Sequence, residues 1–136
     1  MGIVYLCCVV CRRGQDRARI FMNYIVSRDA EVNLVPIVAG RTDCASPLEM
    51  CGDSLEHEKK VTAMIGNLAA IAAEDKDYAS SNMLVWFIDE QVEEEESARD
   101  MITACETVEG NKFGLYMLDK ELAARTYTQA SPLANA

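Results

Sequence analysis

At 136 residues, half of them hydrophobic and with little Gly or Pro, the chain is long enough for one domain with a substantial core. A formal charge of −9 and a pI near 4.5 argue against nucleic acid or an anionic membrane as partner and suit a protein that attracts cations. The six cysteines do not form a disulfide framework, since Cys7, Cys8 and Cys11 crowd one apolar stretch while Cys44, Cys51 and Cys105 are scattered; that usage places the chain in a reducing, cytoplasmic compartment.

Residues 3–10 are apolar but too few to span a bilayer, and no Lys or Arg precedes them as a signal peptide would need. They read as a helix or strand segment seeking a hydrophobic neighbour. Cys8-Val9-Val10-Cys11 is formally a CxxC, without the helix-opening context or second ligand pair of a redox or zinc motif. Residues 17–28 form a helix with a stripe of Ile20 and Tyr24. A long connection over 30–46 follows, its β-branched residues, Pro36, Gly40 and Asp43 opposing a regular helix. Ser46-Pro47 with Glu49 is a strong helix start: an N-cap oxygen, a proline at the first helical position and a carboxylate at the third. This helix runs to about Asp75. The tight connection over 75–78 then predicts an antiparallel return over 79–106. Glu109-Gly110-Asn111 breaks that helix, and 113–125 forms a short terminal one with an apolar face of Leu115, Leu118 and Leu122. Residues 127–136 read as a flexible tail.

The two long helices share an oddity. At helical spacing, Leu84, Phe87, Gln91, Glu94, Ala98 and Met101 fall on one stripe, with an amide and a carboxylate in the middle of a core face. The preceding helix places Glu58 among Leu48, Leu55, Thr62, Ile65 and Ala72. A buried carboxylate needs a counter-charge, a proton or a metal. Oxygen ligands brought by two adjacent helices to one core suggest a metal held inside a bundle. Against that stands the usual fate of a run such as Glu93 to Glu96, a solvated helix face, to which Glu95 and Glu96 are assigned.

From about residue 17 to 125 the chain resembles the bacterial-type non-haem ferritins. The resemblance rests on Leu55-Glu56-His57-Glu58-Lys59-Lys60-Val61-Thr62, Asp77-Tyr78-Ala79, Leu84-Val85-Trp86-Phe87-Ile88-Asp89-Glu90-Gln91-Val92-Glu93-Glu94-Glu95, and Gly114-Leu115-Tyr116-Met117-Leu118-Asp119-Lys120-Glu121-Leu122. It implies an all-α, ferritin-like four-helix bundle in a single domain, with 30–46 as the crossover before the third helix. The first long helix and half of the second are then absent, and residues 1–15 are an atypical, Cys-rich start. It also implies oxidation of Fe(II) by dioxygen at a di-iron site and storage of iron in a multi-subunit shell.

The resemblance assigns Glu58 as the bridging carboxylate of the third helix, Gln91 and Glu94 as the Gln-x-x-Glu of the fourth, and Glu90 and Glu93, with Glu94, as an accessory iron site. The i, i+3 pair works because both side chains leave one helix face. The family's remaining ligands have no counterpart: Gly14 and Arg17 stand where a Glu and a His belong, and His57 points away from Glu58. Three readings follow: an iron-storage subunit forming a homo-oligomeric shell or co-assembling with complete ferritin subunits; a ferritin whose reading frame is truncated; or a non-enzymatic helical interaction protein.

Overall fold

A computed structural model describes residues 2–37 and 43–134, with side chains described for 11–37 and 43–133. The expectations for the side chains of 3–10, Cys7 and Cys8 included, for Gly40 in the crossover and for 135–136 in the tail lie outside the described residues. Every described regular element is helical: α1 (Gly2–Ser27), α2 (Pro47–Glu74), α3 (Tyr78–Thr107), α4 (Lys112–Ala123) and α5 (Ser131–Ala134). None of the described helices is long and apolar enough to cross a membrane. The chain forms two units, one of residues 1–41 with 111–136 and one of residues 42–110.

The second unit is a helical hairpin in which α2 packs along α3. Its start is as the sequence predicts. Glu49 N donates to Ser46 Oγ at 3.1 Å, Pro47 occupies the first turn, and the Glu49 carboxylate accepts from Ala45 N at 2.6 Å. The link between the helices is tight because Lys76 takes a left-handed conformation (φ 55°), and Asp77 caps α3 by accepting from Ser80 N at 3.2 Å. α3 ends at Thr107, and the turn after it holds Gly110, whose φ of 72° favours a residue without Cβ. The buried apolar side chains are Cys51, Ile65 and Ala72 on α2 and Leu84, Phe87, Met101 and Cys105 on α3.

The first unit joins α1 to α4 and α5. Here the structure corrects two sequence expectations. One helix runs unbroken from Gly2 to Ser27, 26 residues against 28 for α2, so it is neither confined to 17–28 nor half the length of its neighbours. The reading of 17–28 follows the stripe of Ile20 and Tyr24 and the extent of the resemblance; Gly14 does not end the helix, since one glycine costs a long helix only about 1 kcal/mol. The second correction concerns the end of the chain. Tyr127 Oη donates a short hydrogen bond to Asp16 Oδ2, Ala130 N donates to the same oxygen at 3.0 Å, and Arg12 stacks 5.6 Å from the centre of the Tyr127 ring. Leu133, in α5, is 7% exposed. The segment expected to trail is therefore clasped to α1. In α4, Leu118 and Leu122 are buried as expected, whereas Leu115 is exposed.

The Asp16 clasp makes a prediction. The Tyr127 hydroxyl, aided by Ala130 N–H and Arg19 and opposed by burial, holds the Asp16 carboxyl below its usual range, and Asp16 in turn raises the Tyr127 phenol. A depressed carboxyl contributes stability that is present above its unfolded pKa of about 3.9 and is lost as pH falls through the lower folded value. A raised phenol contributes below about 10 and is lost as pH rises through the higher folded value. Protection of the Ala130 amide from hydrogen exchange, corrected for the intrinsic pH dependence, is expected to be level near neutrality and to fall at both extremes. Asp16→Asn should erase the acid limb; an unchanged acid limb in that variant would assign the titration to another group.

Candidate metal centre

The stripe that is anomalous in the sequence is buried in the structure. Glu58 is 5%, Gln91 2% and Glu94 7% exposed, in the same buried range as Leu84 and Phe87. Hairpin packing brings Gln91 directly onto Glu58. The Gln91 Nε2 amide donates toward the Glu58 backbone carbonyl at 3.1 Å, its carboxylate Oε2 at 3.2 Å and Thr62 Oγ1 at 3.2 Å. Two of these three partners are pure acceptors, so the amide cannot be turned round without opposing oxygen to oxygen. The consequence falls on the other end of the amide: Gln91 Oε1 is fully buried and has no hydrogen-bond partner. Leaving such an acceptor unmade costs about 1–3 kcal/mol.

Glu94 follows one turn later on the same face of α3, while Glu90 is half-buried and Glu93 exposed. The sequence reading of Glu95 as solvated requires correction. Its side chain is 21% exposed; one oxygen accepts from Thr62 Oγ1 at 2.7 Å and the other from Arg99 Nη1 at 3.2 Å. The Thr62 hydroxyl holds this carboxyl below the usual range, opposed by burial and aided by the Arg99 bond and charge and the charge of Lys59. Glu96 is exposed as expected, and so is His57. Gly14 is exposed, with nothing within 4 Å of where a Cβ would lie, and Arg17 is half-buried.

Hard oxygen donors of this kind suit iron, manganese or magnesium rather than thiophilic metals. A buried amide oxygen without a partner is the feature that a cation would satisfy, so Glu58, Gln91 and Glu94 fit such a guest. Among the described residues, no three His, Cys, Asp or Glu side chains gather into a complete metal-holding group. The buried set is two carboxylates and an amide.

One pairing was not read from the sequence. Cys51 Sγ and Cys105 Sγ lie 3.7 Å apart, both buried, between α2 and α3. The signal was present: Cys51, Glu58, Ile65 and Ala72 recur every seven residues, and Cys105 extends the α3 stripe one step beyond Met101. The sequence reading takes cysteine as a disulfide, redox or metal residue, although a thiol also behaves as a small hydrophobe.

An all-helical chain that buries carboxylates and an amide between two antiparallel helices belongs to the class of helical proteins built around an acidic interior. The ferritin-like domain family matches residues 14–108, across both units, and the chain belongs to that family. It is 41% identical to the bacterial non-heme ferritin of Staphylococcus aureus (strain USA300) over 107 residues, covering 79% of this chain and 64% of that protein. The chain thus spans just under two thirds of that relative's length. A humanized archaeal ferritin superposes with a TM-score of 0.91 at 32% identity, covering 94% of this chain and 78% of that one. A closed form of Archaeoglobus fulgidus ferritin made by site-directed mutagenesis gives 0.91 at 31%, covering 93% and 77%. The all-α, ferritin-like fold expected from the sequence is the fold observed.

Proposed function

We propose that this chain binds and stores iron, taking up Fe(II) at Glu58, Gln91 and Glu94, with Glu90 and Glu93 as an accessory set toward the surface. The observation that carries this reading is the buried Gln91 Oε1, left without a partner beside the Glu58 carboxylate. Negative charge from the two buried carboxylates offsets that of an incoming cation, and the amide oxygen adds a neutral donor. Oxidation by dioxygen would remove one electron from each iron and leave Fe(III), which hard carboxylate oxygens hold more strongly. Gly14 and Arg17 supply neither of the ligands that the family pattern has there, so this ferroxidase step would rest on Glu58, Gln91 and Glu94.

Cys11, Cys44, Cys51 and Cys105 are thiols rather than half-cystines, as suits a cytoplasmic setting. A shell of identical copies, or co-assembly with complete ferritin subunits, is supported by exposed apolar rows at helical spacing. These are Met64, Leu68 and Ile71 on α2 and Val85, Ile88 and Val92 on α3. The same rows favour a second reading, a non-catalytic helical subunit acting through its partners.

One experiment separates the readings. The purified full chain is titrated with Fe(II) without oxygen, oxygen is admitted, and Fe(III) absorbance and particle mass by light scattering are followed. Saturable uptake, oxidation faster than in protein-free buffer and a large particle are expected. Uptake without acceleration would restrict the function to binding, and no uptake would leave the interaction subunit.

A further inference from the structure

The reading of Glu58, Gln91 and Glu94 as a cation site leaves unexplained how a flexible glutamine keeps its oxygen aimed at a guest. The structure assigns this task to Thr62, as a positioning residue that holds the Gln91 amide through a one-way hydrogen-bond chain ending at Glu95 and Arg99. The inference rests on the iron-binding reading and adds residues that it does not contain.

Direction along the chain is set by donor counting. Arg99 can only donate, and it gives to Glu95 Oε2 at 3.2 Å. The ionised Glu95 carboxylate can only accept, and its other oxygen lies 2.7 Å from Thr62 Oγ1. Thr62 has one proton and two acceptors within reach, this carboxylate and the Glu58 backbone carbonyl at 3.0 Å. The nearer and charged acceptor takes it. The threonine oxygen therefore turns a lone pair toward Gln91, and Nε2 at 3.2 Å is the donor that meets it.

A guest cation makes this arrangement matter. In its absence the Gln91 amide is held by the Glu58 carbonyl, the Glu58 carboxylate and Thr62. Once the Glu58 carboxylate serves a cation, its oxygens become weaker acceptors for the amide. The Glu58 carbonyl and Thr62 then remain to fix Nε2, and with it the opposite Oε1. Thr62 comes from α2 and Gln91 from α3, so the chain also ties the register of the hairpin to the aim of the ligand. Glu95, which the sequence places on the solvated face, acquires a role through Thr62 without touching the guest.

The test is an oxygen-free titration of the full chain with Co(II) alone, read by visible absorption and calorimetry, for native protein, Thr62→Val, Thr62→Ser and Glu58→Gln. Thr62→Val keeps the shape and removes the hydroxyl; it is expected to weaken Co(II) binding about tenfold and to alter the Co(II) absorption band, in a chain that is still folded at the titration temperature. Thr62→Ser restores the hydroxyl and is expected to bring affinity back within about threefold and to restore the band. If Glu58→Gln weakens binding while Thr62→Val binds as the native chain does, the positioning role is overturned and the site stands. If Glu58→Gln binds as the native chain does, the site itself fails and the inference with it. Should Thr62→Val not fold, Thr62→Ala is judged by the same criteria, and a serine variant as weak as the alanine variant would also overturn the proposal.

Discussion

Glu58→Gln is expected to weaken Fe(II) binding on the order of 100-fold, abolish accelerated oxidation and leave the hairpin folded. The substitution conserves size and leaves an oxygen that can still accept from Gln91 Nε2, so the contacts at 3.1 and 3.2 Å need not be lost. What disappears is one negative charge at a position only 5% exposed. A unit charge about 4 Å from a cation contributes about 4 kcal/mol at an effective dielectric near 20, close to three decades in affinity. Solvent screening and the remaining Glu94 reduce the expected loss to about two decades. Stability should stay within about 1 kcal/mol of the native chain, because volume is conserved and the remaining side-chain oxygen can still accept from Gln91. Calorimetric titration and a thermal melt on the same sample separate the two effects. Equal iron affinities in the native and variant chains would remove Glu58 from the site.

Phe87→Ala is expected to cost about 3–5 kcal/mol of stability. Phe87 is 1% exposed, between Leu84 and Gln91 on the α3 stripe, and its ring meets Trp86 edge-on at 4.9 Å and 79°. Truncation removes the transfer free energy of a whole aromatic ring and leaves a cavity that helices cannot readily collapse, since their backbones are fixed by their own hydrogen bonds. A typical domain has about 5–15 kcal/mol in total, so the variant should unfold at much lower urea or fail to accumulate. Trp86, the only tryptophan, reports the transition by fluorescence. A loss below about 1 kcal/mol would mean that the ring contributes little packing at this position.

The sequence made the hairpin legible because each of its devices is local. Ser46, Pro47 and Glu49 announce one end, Asp77 caps the returning helix, and seven-residue recurrence marks the buried face. The misplaced carboxylates were legible for the same reason: Glu58 and Glu94 break an apolar stripe that periodicity alone can draw. What stayed hidden depends on meetings between distant residues. Nothing near Asp16 predicts Tyr127 and Ala130 as its partners, and nothing near Glu95 predicts Thr62. Glu95 was assigned to water because runs of glutamate usually face it; a threonine from the neighbouring helix overrode the composition. The start of α1 lies outside the Ile20 and Tyr24 stripe and outside the resemblance from residue 17, so neither signal reaches it.

The two units also differ in how a chain can reach them. The hairpin is one continuous segment, and its helices need only close the turn from Glu74 to Tyr78. The other unit is discontinuous: α1 finds α4 only after the chain is closed from Ser27 to Lys112. Loop-closure entropy grows with the logarithm of length, and the difference between these closures is about 3 kcal/mol. Contacts of low sequence separation form early and contacts of high separation late. The order of assembly therefore favours the meeting of Gln91 with Glu58 before the Asp16 clasp can close. The bond from Gln91 to Glu58 would be in place while the ends of the chain are still searching for each other.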